Sequence, residues 1–173
     1  NCIFTDNTAP YGGGLRNKYS NPELIDCTFT YNIADVTGGG MYNGSSSPTL
    51  QNCIFENNTS ETGGGIKNFN GHPILTNCEF TGNSSAEGGG MYNGQSNPTI
   101  TECIFTNNTA NAGGGMYNNS SSPTLTDTTV CGNTPDQIEG DWTDNGGNTI
   151  ADECAGSIVW TVDDDGKADF DNI

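Results

Sequence analysis

The chain has 173 residues, 21 of them acidic against four basic, and a formal net charge of −17. Leu, Ile, Val and Phe together supply only 28 residues, a balance common in disordered chains, yet their strictly periodic placement argues for a fold. The charge repels duplex nucleic acid, no apolar run reaches the roughly 18 residues of a membrane-spanning helix, and the 25 glycines lack the every-third spacing of collagen.

From its start the chain repeats itself. Cys2, Cys27, Cys53, Cys78 and Cys103 are spaced by 25, 26, 25 and 25 residues. Each opens Cys-x-Phe-x-x-Asn, then a short polar stretch, Gly-Gly-Gly, an aliphatic residue, x-Asn, a Ser/Asn/Gly loop, Pro, x, and Leu or Ile. GGGMYN itself occurs at 38–43, 88–93 and 113–118. Periods of 20–50 residues mark solenoids and related arrays. Three glycines and a proline per copy disfavour helix, whereas Cys and Phe at i and i+2 share one face of a strand.

These features predict an all-β, right-handed parallel β-helix of about 25 residues and three short strands per coil. A single coil cannot bury its apolar face, but stacked coils form a continuous core. Its expected columns are Cys2, Cys27, Cys53, Cys78 and Cys103; Phe4, Phe29, Phe55, Phe80 and Phe105; Leu15, Met41, Ile66, Met91 and Met116; and Leu24, Leu50, Leu75, Ile100 and Leu125. Asn7, Asn32, Asn58, Asn83 and Asn108, continued by Asn133, would stack as an amide ladder. The glycine triplet suits a corner that needs positive φ or close approach between turns.

FTDN, FTYN, FENN, FTGN and FTNN, with GGGL, GGGM and GGGI, resemble the FxxN and GGA[ILV] repeats of the polymorphic outer-membrane protein family. Gly stands here where that family has Ala. The resemblance covers about residues 1–133 and implies a β-helical passenger domain of a surface-exposed, adhesin-like protein.

The five register cysteines are expected as buried free thiols. Parallel Cβ vectors disfavour disulfides between them, and ligands along a line do not suit tetrahedral zinc. Cys131 and Cys154 lie off register and are candidates for a disulfide. Repeats are expected over 1–133, a distorted capping coil over 134–156 with Trp142 covering the core, and an acidic tail over 157–173. That tail is a linker, the start of a further domain, or a calcium loop using Asp163, Asp165, Asp169 and Asp171. The chain opens in mid-pattern and stops abruptly, so flanking domains are expected.

No nucleophile elbow, P-loop or H-E-x-x-H is present, and the lone His72 reads as a loop residue. Glu56 and Glu79 face outward in adjacent coils about 7–8 Å apart, near the spacing of an inverting glycosidase pair, but they lie on an open face whose equivalent slots in other coils hold Thr and Ile. The outward slot after the GGG-aliphatic unit holds Arg16, Tyr42, Lys67, Tyr92 and Tyr117. Such a row serves either as an external stacking ladder or as a platform for sugar rings and cations. Thr99/Thr101 and Thr124/Thr126 raise an ice-binding alternative, although Ile74 and Gln51 interrupt the lattice. The sequence thus points to a non-enzymatic extracellular or cell-surface module, a spacer or an adhesin-like domain. A carbohydrate or a cell-surface partner is expected, with no nucleic acid and no cofactor unless the tail holds calcium. A polysaccharide lyase- or hydrolase-like β-helix is the alternative.

Overall fold

The computed structural model describes residues 1–155, which form 22 short strands and no helix. Strands of equivalent position in successive coils pair in parallel and in register. The Cys/Phe wall contains Ile3–Thr5, Thr28–Thr30, Ile54–Glu56, Glu79–Thr81, Ile104–Thr106, Thr129–Cys131 and Thr149–Ala151. A glycine-triplet wall runs Leu15–Lys18, Met41–Gly44, Ile66–Phe69, Met91–Gly94, Met116–Asn119 and Ile138–Glu139. The proline wall runs Glu23–Ile25, Thr49–Gln51, Ile74–Thr76, Thr99–Thr101, Thr124–Thr126 and Thr143–Asp144.

A fourth wall joins these three. It comprises Thr8–Tyr11, Ile33–Thr37 and Thr59–Thr62 and continues as isolated bridges through Ser84, Thr109 and Thr134. Its small, polar residues carry too little hydropathy contrast for the alternation to be visible in the sequence. The second coil is the 26-residue one, and its extra residue falls here. The register shifts between Ala34 and Thr37, a β-bulge that leaves Val36 exposed on the outside.

Inside the rod the Phe column is one stack, with centroids 4.4–4.9 Å apart and planes within 5° of parallel. Burying each ring stabilises by about 1.5–3 kcal/mol, with about 0.5–1.5 kcal/mol more from stacking. Met41, Ile66, Met91, Met116 and the Leu/Ile column from Leu24 to Leu125 fill the remaining core. Both ends of the stack are less covered: Phe4 and Leu15 are only partly buried, and Ile138 and Trp142 pack over the opposite end.

Asn32, Asn58, Asn83 and Asn108 are fully buried, and their amides are saturated. Asn83, for example, accepts at Oδ1 from Asn58 N and Nδ2, and its Nδ2 donates to Asn108 Oδ1 and to the Phe55 carbonyl. Gln137 ends the ladder by accepting from Asn133 N and Nδ2 at 3.0 and 2.9 Å. A second ladder through Asn17, Asn43, Asn68, Asn93 and Asn118 repeats at 2.9 Å and ends on the Asp141 carbonyl.

Four of the five register cysteines are buried free thiols, but Cys2 is exposed. This departs from the expected column of five, because among the described residues no coil lies beneath the first. Cys131 and Cys154 form a disulfide. Native protein treated with a bulky maleimide reagent is therefore expected to label Cys2 alone. Cys27, Cys53, Cys78 and Cys103 should label only after unfolding, and Cys131 and Cys154 only after reduction. Peptide mapping reads the order, and labelling of a buried thiol as fast as Cys2 contradicts a closed core. The tail 157–173, with Asp163, Asp165, Asp169 and Asp171, lies outside the described residues.

Candidate ligand-binding groove

The glycine-triplet wall sets Arg16, Tyr42, Lys67, Tyr92 and Tyr117 in one register, each outward because its neighbours on both sides point into the core. The row is not an open aromatic face. Tyr92 is only 7% exposed. Lys67 Nζ lies 4.2 Å from its ring centroid, the Tyr117 ring stacks at 5.4 Å, and Asn119 Nδ2 donates to its hydroxyl at 3.1 Å. Long side chains on neighbouring coils cover one another.

The tyrosines also lean along their strands. A Cβ at Gly44 would sit 2.8 Å from the Tyr42 hydroxyl, and one at Gly94 would sit 3.1 Å from the Tyr92 ring and 3.2 Å from Phe69. Tyr-x-Gly in copies two and four thus leaves room for each ring over the glycine, and Phe69 is the register partner of both glycines.

At the corner with the fourth wall this row opens into a groove of about 410 Å³. Tyr11, Val36, Tyr42 and Phe69 form its apolar sides, and Glu61 and Lys67 its charged ones. Tyr11, Val36 and Phe69 are each 40–43% exposed. Arg16 lies 5.0 Å over the Tyr11 ring, which meets Tyr42 at 6.2 Å and 53°. Lys67 Nζ donates to Thr62 Oγ1 at 2.9 Å, and Thr62 Oγ1 to Thr37 Oγ1 at 3.0 Å, so the cation is held in place. Burial holds the Lys67 ammonium below the usual lysine value, against the pull of Glu87 and Glu61. Burial, helped by the charges of Glu87 and Glu139, raises the Tyr117 phenol.

Sequence reading names Tyr42 and Lys67 but misses Tyr11, Val36, Glu61 and Phe69. The groove crosses two walls, so its residues do not share a repeat slot. The available signals were the 26-residue spacing, which encodes the bulge at Val36, and the glycines that alternate with Phe69.

The other candidates lie apart from this groove. Glu56 pairs with Thr81 and Glu79 with Ile54, so the two carboxylates are diagonal neighbours on the Cys/Phe wall; both are exposed. Thr81 Oγ1 donates to Glu79 at 2.9 Å. Arg16, Lys18 and Lys67, the basic residues among those described, all stand on another wall. Thr99 and Thr101 stack on Thr124 and Thr126, but Ile74 and Gln51 occupy the same rows. His72 is exposed and accepts at Nδ1 from Asn97 N at 3.2 Å. Among the described residues no three His, Cys, Asp or Glu side chains converge as a metal cluster, and no helix is long and apolar enough to cross a membrane.

Comparison with known proteins agrees with this architecture. No curated protein and no solved structure matches the chain. The family model for a right-handed beta helix region matches residues 1–94. With its columns, walls and parallel register, the chain belongs to the right-handed β-helix family.

Proposed function

We propose that this chain is a non-enzymatic module of an extracellular or cell-surface protein, a stiff β-helical spacer that binds carbohydrate in the groove beside Lys67. The carrying observation is the juxtaposition of Tyr11, Tyr42 and Phe69 with the fixed ammonium of Lys67 and the carboxylate of Glu61. A sugar ring offers an apolar C–H face that rests on aromatic carbon, and a rim of hydroxyls that pairs with charged and polar groups. About 410 Å³ suits a pocket for a small ligand, within the usual span of about 300–1,000 Å³. A formal charge of −17 disfavours polyanions by long-range repulsion, so a neutral glycan is the expected class. The FxxN resemblance to polymorphic outer-membrane repeats supports a surface, adhesin-like setting.

Tyr42→Ala and Phe69→Ala are expected to weaken binding to the best neutral glycan about tenfold each, the scale of one lost aromatic contact. Lys67→Met should cost at least as much, through the lost charge-assisted hydrogen bond. Tyr31→Ala, at an exposed position on another side of the rod, serves as the control. Glycan binding that ignores all three groove substitutions sinks the proposal, as does a folded wild type that retains no neutral glycan.

A further inference from the structure

Four free thiols stand in a column inside the rod. Cys27, Cys53, Cys78 and Cys103 are at most 5% exposed. Each Sγ donates to the carbonyl two residues earlier, Ile25, Gln51, Thr76 or Thr101, at 3.3–3.4 Å. One shared orientation in one register makes the sulfurs repeat with the coil, whose rise in the adjacent Phe column is 4.4–4.9 Å.

A linear sulfur–metal–sulfur unit matches that rise. With metal–thiolate bonds of about 2.3 Å, the length known for zinc, two sulfurs on opposite sides of one ion are about 4.6 Å apart. The cysteine side chains face the core in one register, so an ion between the sulfurs of successive coils would lie along the rod axis. A tetrahedral ion finds no third ligand here. A sulfur cannot hold ions on two opposite sides, so adjacent gaps in the column do not both fill.

The acidic groove selects the gap. A side groove of about 270 Å³ on the outer corner borders Cys53 and Cys78, with Glu79 and Glu102 at its rim, while the two cysteines themselves are at most 1% exposed and face the core. Of the four buried thiol residues it lies against this pair, and its carboxylates concentrate cations beside it.

We propose that Cys53 and Cys78 form a two-coordinate site for a soft, thiophilic metal ion. Thiolates select ions of this class. Uptake of a divalent ion breaks two S–H bonds, forms two metal–sulfur bonds and sends two protons to solvent, with no change of oxidation state. The product carries no net charge, so the apolar core is spared the several kcal/mol that burying an ion costs. Each thiol donates its proton to a carbonyl, Gln51 or Thr76, and must release it to bind, so affinity should fall about a hundredfold per pH unit on acidification.

The test is a titration of Cys2→Ser protein, which lacks the exposed thiol, with mercuric chloride as probe. Native mass spectrometry, near-ultraviolet thiolate-to-metal absorption and proton release are read together. One ion per folded chain, two protons released and a raised thermal midpoint are expected. Adding Cys53→Ser or Cys78→Ser should lower affinity at least a hundredfold, whereas Cys27→Ser should not. A hydroxyl is tolerated in this column, since Thr128 occupies the slot above Cys103 and accepts from its N–H at 3.3 Å. No uptake by the folded Cys2→Ser protein, or equal uptake after loss of Cys53 or Cys78, overturns the proposal.

Discussion

Gly64→Ala is expected to prevent the coils from closing on one another, at a cost of more than about 4 kcal/mol. An added Cβ would lie 2.5 Å from the Gly89 carbonyl oxygen, 2.6 Å from that of Ser84 and 2.8 Å from Ser84 N. All three obstacles are backbone atoms of the next coil held by hydrogen bonds: Gly89 O accepts from Gly65 N, Ser84 O accepts from Ser60 N, and Ser84 N donates to Asn58 O. No side chain can step aside, so relief requires separating the turns and losing their hydrogen bonds. Gly63, at φ +68°, turns the corner, while Gly64 lets the coils touch; the triplet therefore answers two separate demands. Gly146→Ala provides the comparison. Its Cβ meets nothing within 4 Å, but its φ is +100°, so strain of about 1–2 kcal/mol is expected there. Denaturant unfolding of both variants measures the contrast, and equal losses would contradict the close approach of the turns.

Asn83→Ala is expected to cost about 3–5 kcal/mol. The substitution orphans the Asn58 backbone N–H, strips the Phe55 carbonyl of its side-chain donor while the strand ladder stays, and removes one donor from Asn108 Oδ1. A buried polar group left unpaired costs about 1–3 kcal/mol, and each further hydrogen bond lost adds about 0.5–1.5 kcal/mol. Asn83→Asp should be worse at neutral pH, because a carboxylate oxygen would then face the Phe55 carbonyl and Asn108 Oδ1. Thr49→Ala on the exposed face of the proline wall should stay within about 0.5 kcal/mol. Parallel unfolding curves decide the matter, and an Asn83→Ala midpoint matching Thr49→Ala would show that the ladder does not hold the corner.

The rod itself was legible because its period is carried by residues that cannot be solvated cheaply. Cys, Phe, Met and Leu recur at fixed positions, and the Phe stack and Leu/Ile column follow from that spacing. The fourth wall was not legible, since Thr, Ser and Ala look alike on both faces of a strand. Asn43, Asn68 and Asn93 could have been read as inward from their place two residues after Met41, Ile66 and Met91. An amide in an apolar interior makes sense only once its stacked partner is known. The groove was half legible for a related reason. Repeat alignment finds residues that share a slot, such as Tyr42 and Lys67. Phe69, Glu61 and Val36 meet them across a corner, and only the backbone path around the bulge brings them together. Tyr92 shows the opposite limit: its slot faces outward, yet Lys67 and Tyr117 close over it.

The most direct test of the proposed role is incubation of the domain with neutral and acidic polysaccharides, with and without calcium. Affinity-gel retardation is followed beside the release of reducing or unsaturated ends. Retardation by a neutral polymer, lost in Tyr42→Ala and Lys67→Met and accompanied by no new ends, is the predicted result. New chain ends from any polymer would contradict a non-enzymatic module and turn attention to Glu56 and Glu79.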